Sequence, residues 1–149
     1  VGEYLDWLDT KTTFFADSIK KKSYRPQPDN ISPGDVIWVE FGINIGTELS
    51  DYSTKGHYAV VLLVSLGNLV VIPLTSKENS DSLFCFDLGY IPDLSRDKEY
   101  HSYLKLDAIR SISKRRVGRM NNKESGKIHL SNKTMKKIQK AIKMTFLNF

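Results

Sequence analysis

The chain has 149 residues, enough for one compact domain, and its 40% hydrophobic and 26% charged composition is typical of a folded protein. The single cysteine, Cys85, excludes an internal disulfide framework and a zinc site built from several cysteines. No apolar run approaches the roughly 20 residues of a membrane span, and no signal peptide is found. We therefore expect a cytoplasmic protein that has no membrane partner.

Positive charge is concentrated in the C-terminal third of the chain. Residues 105–143 carry thirteen Lys or Arg and two acidic residues, a local net charge of +11, whereas the remainder carries −6. Because a basic surface attracts phosphate groups, this segregation predicts a polyanionic partner such as nucleic acid. A basic face that serves solubility alone is the alternative.

The first 22 residues predict an amphipathic helix, since their apolar side chains recur every three or four positions. The residues of this stripe are Leu5, Leu8, Thr12, Phe15 and Ile19, with Trp7 and Phe14 widening the apolar face. Two prolines within residues 24–30 then predict a linker. The chain thus divides into an N-terminal helix with its linker, residues 1–30, and a main domain, residues 31–149. Such a helix must cover its stripe on the main domain or on a partner.

The main domain is predicted to be mostly strand up to residue 130. Runs rich in β-branched and aromatic residues predict strands at 35–41, 57–65, 69–74, 83–88, 103–106 and 109–112. Many short strands without long helices between them favour a small barrel over a parallel sheet. Residues 131–147 predict a final helix with Ser131 as its N-cap. The predicted fold class is mostly β with helices, an α+β chain.

Motifs for bound metals or nucleotides are missing from the sequence. It has no glycine-rich phosphate loop and no dense carboxylate cluster. Its three histidines, His57, His101 and His129, are far apart along the chain. We therefore expect chemistry without a metal and predict no cofactor.

Four blocks of the main domain resemble the MazF/PemK toxin family, in the order that this family has them. They are a Gly-Asp pair with an apolar strand, a loop glutamate before a second strand, a third strand ending in Thr-Ser, and an Arg-Ser-Ile-x-Lys-Arg segment. In this chain the blocks are residues 33–41, 46–48 with 57–62, 70–76 and 103–115. The resemblance covers about residues 31–149 and leaves the first helix outside it.

The resemblance implies an SH3-like barrel with a C-terminal helix, usually a homodimer, that cleaves single-stranded RNA without a metal. It also implies a cognate antitoxin that occupies the RNA groove. Cleavage in the family uses the ribose 2′-hydroxyl as nucleophile and leaves a 2′,3′-cyclic phosphate and a free 5′-hydroxyl. This reaction needs a base for the 2′-hydroxyl, cations or donors for the charge at phosphorus, and an acid for the leaving 5′-oxygen.

The resemblance places Thr75 at the catalytic threonine of the family, with Ser76 beside it, and both hydroxyls can donate to a phosphate oxygen. Capping of their own turn is the alternative role for these two residues. Relatives usually carry Arg-Pro at the start of the second strand, where this chain has His57-Tyr58. Because histidine exchanges protons near neutrality, we predict acid–base and phosphate roles for His57; a structural histidine and a weakened enzyme are the alternatives. Glu48 matches the loop glutamate and completes the predicted catalytic set.

Five cations are candidates for RNA contacts: Lys77, Arg110, Lys114, Arg115 and Arg116. The last four are also candidates for the charge that the missing family arginine would supply. The sequence therefore predicts the toxin of a type II toxin–antitoxin pair, acting as a sequence-specific endoribonuclease. A non-catalytic binding module on the same barrel, like the related gyrase-poisoning toxin CcdB, is the alternative.

Overall fold

The computed structural model describes residues 1–45, 56–95 and 97–148 of the chain. Two helices and eight strands occur in these ranges. The helices are α1 (Gly2–Ile19) and α2 (Asn132–Phe146); the strands are β1 (Asp35–Val39), β2 (His57–Val64), β3 (Asn68–Thr75), β4 (Cys85–Asp87), β5 (Tyr103–Lys105), β6 (Arg110–Ser113), β7 (Val117–Gly118) and β8 (Ile128–His129). Short 3₁₀ turns at Leu106–Ala108 and Lys114–Arg116 separate β5 from β6 and β6 from β7.

The strands form an antiparallel sheet that closes into a small barrel. β1 pairs with β2, β2 with β3, and β3 with β6. The chain then passes through the second 3₁₀ turn into β7, which pairs with the other side of β1 and closes the ring. β5 and β4 extend the sheet from the end of β3, while β8 pairs with the beginning of β1. The predicted α+β fold, a small barrel followed by a C-terminal helix, is confirmed.

The sheet separates two hydrophobic cores, because successive side chains along a strand point to opposite faces. The barrel core is formed by Ile37, Val39, Phe41, Ala59, Val61, Leu69, Val71, Ile112 and Val117, and an irregularity in the β2–β3 register after Val61 places Leu63 outside it. The second core lies between the opposite face of the sheet and α2. Val36, Val60 and Ile72 come from the sheet, and Ile138 and Ala141 come from α2. Ser131 caps α2 as predicted, since its hydroxyl accepts a hydrogen bond from the Thr134 N–H at 3.2 Å.

Helix α1 docks on the barrel through Trp7 rather than through the predicted stripe. Trp7 is only 3% exposed and lies against Gly42, where a Cβ would come within 2.0 Å of the indole ring. Gly42 also has a φ of +83°, so glycine is favoured at this position by both space and backbone conformation. The predicted stripe residues Leu5, Phe15 and Ile19 are each more than half exposed. One large side chain therefore anchors the helix.

Two arginines of the barrel hold the N-terminal segment by stacking on its aromatic rings. The guanidinium carbon of Arg116 lies 5.6 Å from the ring centre of Trp7, and that of Arg115 lies 4.8 Å from that of Tyr24. Arg115 also donates to the carbonyl of Lys22 at 2.7 Å. Each cation–π contact stabilises by about 0.5–1 kcal/mol at an exposed site. These contacts attach α1 and its linker to the second 3₁₀ turn.

The buried carboxylate of Asp35 connects β1 to β8. It accepts hydrogen bonds from Lys127 Nζ, from His129 Nδ1 and from the Ser32 N–H, each at 2.7 Å. Burial by itself would raise the pKa of Asp35, but these hydrogen bonds outweigh it and hold the pKa below its ordinary value. The Gly-Asp pair at the start of β1 is therefore a structural anchor.

Candidate active site

His57 begins β2 at one mouth of the barrel. It pairs with Val39 of β1, is half-buried, and has its ring centre 6.2 Å from that of Phe41. The preceding residue, Gly56, fits where a side chain would not, because a Cβ there would come within 2.4 Å of Trp38. Strand alternation sets the His57 side chain on the barrel face of the sheet.

Thr75 ends β3 on the same face. The pairing of β2 with β3 reaches Ala59 and Pro73, and His57 and Thr75 each lie two residues beyond this pair on their own strands, on the same face of the sheet. Directly opposed residues of antiparallel strands point to one face of a sheet. The Thr75 hydroxyl oxygen accepts the Lys77 N–H at 3.2 Å, which caps the turn and leaves the hydroxyl hydrogen for another acceptor. Thr75 therefore combines the turn-capping role with a donor directed to the His57 face.

Arg110 brings a cation to the same mouth. It begins β6, pairs with Val71 of β3, and has its guanidinium carbon 5.6 Å from the ring centre of Phe41. Burial lowers the pKa of Arg116, and the charge of Arg110 lowers it further, so the two guanidinium groups are close together. The Phe41 ring is thus a shared neighbour of His57 and Arg110.

The three cations that follow Arg110 in sequence make contacts elsewhere. Lys114 Nζ donates to the Leu66 carbonyl at 3.0 Å, in the turn between β2 and β3. Arg116 donates to the Glu40 carbonyl at 3.2 Å, and Arg115 is turned towards the N-terminal segment. The structure therefore brings Arg110 over the Phe41 ring, holds Arg116 close by on the carbonyls of Glu40 and Phe41, and directs Lys114 and Arg115 to carbonyls further away.

The remaining predicted residues lie at the edge of the site or outside the described ranges. Ser76 and Lys77 follow Thr75 and are exposed, so a bound strand can reach both of them. Glu48 lies within residues 46–55, which are outside the described residues.

A histidine–aspartate pair that the sequence interpretation left without a role lies near Thr75. His101 Nδ1 is 2.9 and 3.0 Å from the two carboxylate oxygens of Asp87. Because an ionised carboxylate only accepts, Nδ1 carries the hydrogen of this contact and Nε2 is left for other contacts. Partial burial would raise the pKa of Asp87, but hydrogen bonds from His101 and from the Gly89 N–H hold it below its ordinary value.

Tyr103 lies between this pair and Thr75. It is paired with Thr75 on one side and with Asp87 on the other, so the three side chains share one face. Its ring centre is 6.3 Å from that of His101. Removal from water raises the pKa of the Tyr103 phenol, and the charges of Glu78 and Asp87 raise it further, so the phenol remains a donor. The sequence signal that could have indicated this group is the spacing of His101 and Tyr103. Residues two positions apart on a strand point to the same face.

Fold and site together define a small antiparallel barrel with a histidine, a threonine hydroxyl and an arginine at one mouth. Among the described residues, no group of three or more His, Cys, Asp or Glu is arranged to hold a metal ion. Within the same ranges, neither helix has the length and apolar character that crossing a bilayer requires.

The family model of PemK-like, MazF-like toxins of type II toxin–antitoxin systems matches residues 32–146. The chain therefore belongs to this toxin family, and the matched range begins after α1 and most of its linker. No curated protein matches the chain. Since a type II toxin is paired with a protein antitoxin, membership implies an antitoxin as a partner.

Proposed function

We propose that this toxin is a metal-independent endoribonuclease that cleaves single-stranded RNA at the mouth formed by His57, Thr75 and Arg110. The observation that carries the proposal is that His57 and Thr75 each lie two residues beyond the Ala59–Pro73 pair of β2 and β3, on the same face of the sheet. The strongly basic C-terminal third supports an RNA partner. The family supports the reaction class, because the resemblance that places Thr75 at the family's catalytic threonine also implies cleavage of RNA.

In the proposed reaction the 2′-oxygen attacks phosphorus and the bond from phosphorus to the 5′-oxygen breaks. The products are a 2′,3′-cyclic phosphate and a 5′-hydroxyl. His57 exchanges a proton with the reacting oxygens, a role for which imidazole is suited near neutrality. The Thr75 hydroxyl donates to a phosphate oxygen, and Arg110 supplies a permanent positive charge as negative charge develops. Ser76 adds a second hydroxyl and Lys77 a cation for the neighbouring phosphate.

The other predicted residues take supporting roles in this proposal. Glu48 orients the base or a neighbouring cation, as the resemblance implies. Lys114 contacts a backbone phosphate further along the RNA strand. Arg115 and Arg116 add to the positive field around the mouth while they hold the N-terminal segment.

We infer that the antitoxin inhibits by covering this mouth, and that RNA lies in a groove between two barrels of a homodimer. Acidic side chains of an antitoxin would complement the basic C-terminal third as RNA phosphates do. An antitoxin segment that competes with RNA for the purified chain would support this arrangement.

The test is incubation of the purified chain with a long single-stranded RNA in the presence of EDTA. Discrete fragments with 2′,3′-cyclic phosphate and 5′-hydroxyl ends are expected. Thr75→Ala, purified identically, should cleave more slowly with little change in RNA affinity, because its hydroxyl acts mainly as charge develops. Thr75→Ser keeps the hydroxyl and is the matched control. Intact RNA bound tightly by the parent chain would instead indicate a non-catalytic binding module.

A further inference from the structure

We propose that His101 is a second proton-transfer residue of this site and donates the proton that the leaving 5′-oxygen takes up. This inference rests on the proposed cleavage of RNA at Thr75. The juxtaposition that carries it is a row of side chains on one face of the sheet. The row contains His57, Thr75, Tyr103 and the pair of Asp87 with His101.

Thr75 is the central member of this row. On one side of it is β2, where His57 lies two residues beyond the Ala59–Pro73 pair, and on the other side are Tyr103 and then Asp87. Neighbouring strands are about 4.8 Å apart, so about 10 Å separates the β2 and β5 backbones across Thr75. A phosphate bound at the Thr75 hydroxyl would therefore have a histidine-bearing strand on each side.

The His101 ring is held by both its backbone and its partner. Hydrogen bonds from the Leu88 N–H to the Ser102 carbonyl and from the Ser102 N–H to the Gly89 carbonyl, both 2.9 Å, extend the pairing of β4 and β5 past Tyr103. Asp87 takes Nδ1, so Nε2 is the nitrogen available to a ligand. The His101 side chain is 42% exposed, which leaves it accessible to RNA.

The reaction itself requires two groups. One group takes the proton of the 2′-hydroxyl, and another gives a proton to the 5′-oxygen as the bond from phosphorus to that oxygen breaks. Arg110 serves neither purpose well, because a guanidinium remains protonated. Asp87 holds Nδ1 of His101 and leaves Nε2 for the 5′-oxygen, so the acid role goes to His101 and the base role to His57. The proton passes from His101 Nε2 to the 5′-oxygen, while the proton of the 2′-hydroxyl passes to His57 as the new bond to phosphorus forms.

The test compares two leaving groups in one RNA. After cleavage of a long single-stranded RNA has been mapped, an oligoribonucleotide spanning one cut is synthesised with either oxygen or bridging sulfur at the 5′ leaving position. A thiolate leaves without taking up a proton, so the sulfur substrate needs no acid. His101→Ala should slow cleavage of the oxygen substrate by roughly 10²–10⁴-fold and cleave the sulfur substrate at a near-parental rate. His57→Ala should be slow on both substrates.

His129→Ala is the matched control, because His129 also contacts an aspartate through Nδ1 but lies on β8. It should leave both rates unchanged. Asp87→Asn removes the carboxylate charge from the positioning residue and should lower only the rate on the oxygen substrate, by less than His101→Ala does.

The outcomes separate this inference from the proposed function. If the parent cleaves RNA to cyclic-phosphate ends and folded His101→Ala is parental on both substrates, or equally slow on both, the acid role of His101 is wrong and the proposed function stands. If the parent cleaves no RNA, both are wrong. Circular dichroism of each variant establishes that it is folded.

Discussion

The guanidinium carbon of Arg110 lies 5.6 Å from the centre of the Phe41 ring, which also neighbours His57 at 6.2 Å. A permanent cation and a titratable imidazole therefore meet at one aromatic surface in the barrel mouth. In the family pattern the cation begins the second strand, at the position that His57 occupies here. We therefore propose that Arg110 of β6 supplies the charge that β2 lacks.

We predict that Arg110→Ala lowers the single-turnover rate of RNA cleavage by roughly 10²–10³-fold, the usual effect of removing one preorganised donor from a developing anion. Arg110→Lys should recover part of this loss, because it keeps the charge but not the planar fork. Lys143→Ala, which removes a cation from the exposed side of α2, is the control and should cleave at the parental rate. If folded Arg110→Ala cleaves RNA at the parental rate, Arg110 is not the residue that supplies the positive charge.

His57→Ala should lower the cleavage rate by roughly 10²–10⁴-fold, the range for general acid–base catalysis. His57→Arg should recover only part of this loss, since it restores the family charge but does not transfer protons. The pH–rate profile of the parent should show a limb that His57→Ala lacks, because histidine exchanges protons near neutrality. Cleavage at the parental rate by a folded His57→Ala chain that binds RNA would contradict the assignment.

Trp7→Ala should lower the free energy of unfolding by about 3–5 kcal/mol, because it removes a buried indole from its seat at Gly42. Urea unfolding measures this change. Phe15→Ala is the control on the same helix; Phe15 is 66% exposed, so a change within about 0.5 kcal/mol is expected.

Deletion of residues 1–30 should likewise lower the free energy of unfolding but retain RNA cleavage. Complete loss of cleavage by a folded deletion variant would show that α1 contributes to the site.

Asp35 should contribute stability that is lost in acid. The pKa of Asp35 in the folded chain is below its ordinary value of 3.8. Its contribution to the free energy of unfolding is therefore fully present above the pKa of the unfolded chain. This contribution is lost as the pH falls through the pKa of the folded chain. At pH 7, Asp35→Asn should cost about 3–5 kcal/mol in the free energy of unfolding, because Lys127 remains buried without its counter-charge. Urea unfolding from pH 7 to pH 2 should show a shallower acid loss for this variant.

Asp81→Asn, a change at an exposed aspartate, is the control for this acid series. It should keep the parental dependence of stability on pH. Equal acid loss in the parent and in Asp35→Asn would mean that other carboxylates determine the acid limb.

Light scattering should give a mass of two 17.0 kDa chains, because exposed apolar side chains occur on β2 and α2. Leu63 of β2 is 55% exposed and Met144 of α2 is 63% exposed. Leu63→Glu should shift the chain towards the monomer, since a buried charge without a partner opposes association. Leu83→Glu, at a 92% exposed position before β4, is the matched control. A concentration-independent monomer of the parent chain would contradict the dimer.

Local sequence patterns predicted most of the strands of this protein and its C-terminal helix. Strand alternation and the Ser131 cap depend on residues a few positions apart, so β1 to β6 and α2 could be predicted from the sequence alone, whereas the two-residue strands β7 and β8 were not predicted. His57 and Thr75 were singled out by the resemblance to the toxin family, and their catalytic roles stay a prediction. The predicted stripe of α1 did not determine how the helix docks. The helix is apolar on several sides, and Trp7 is the side chain that packs in the space left by Gly42.

Tertiary structure decided which distant residues meet. Asp87 and His101 are fourteen positions apart and pair because β4 and β5 adopt one register; a slip of one residue would turn Asp87 away from the face of Tyr103. Arg110 and Arg116 have the same residue type within one basic segment, yet β6 directs the first to the barrel mouth and the 3₁₀ turn directs the second to the Glu40 carbonyl. Composition and spacing cannot distinguish these partners, because register and closure of the sheet are set by the packing of the whole barrel.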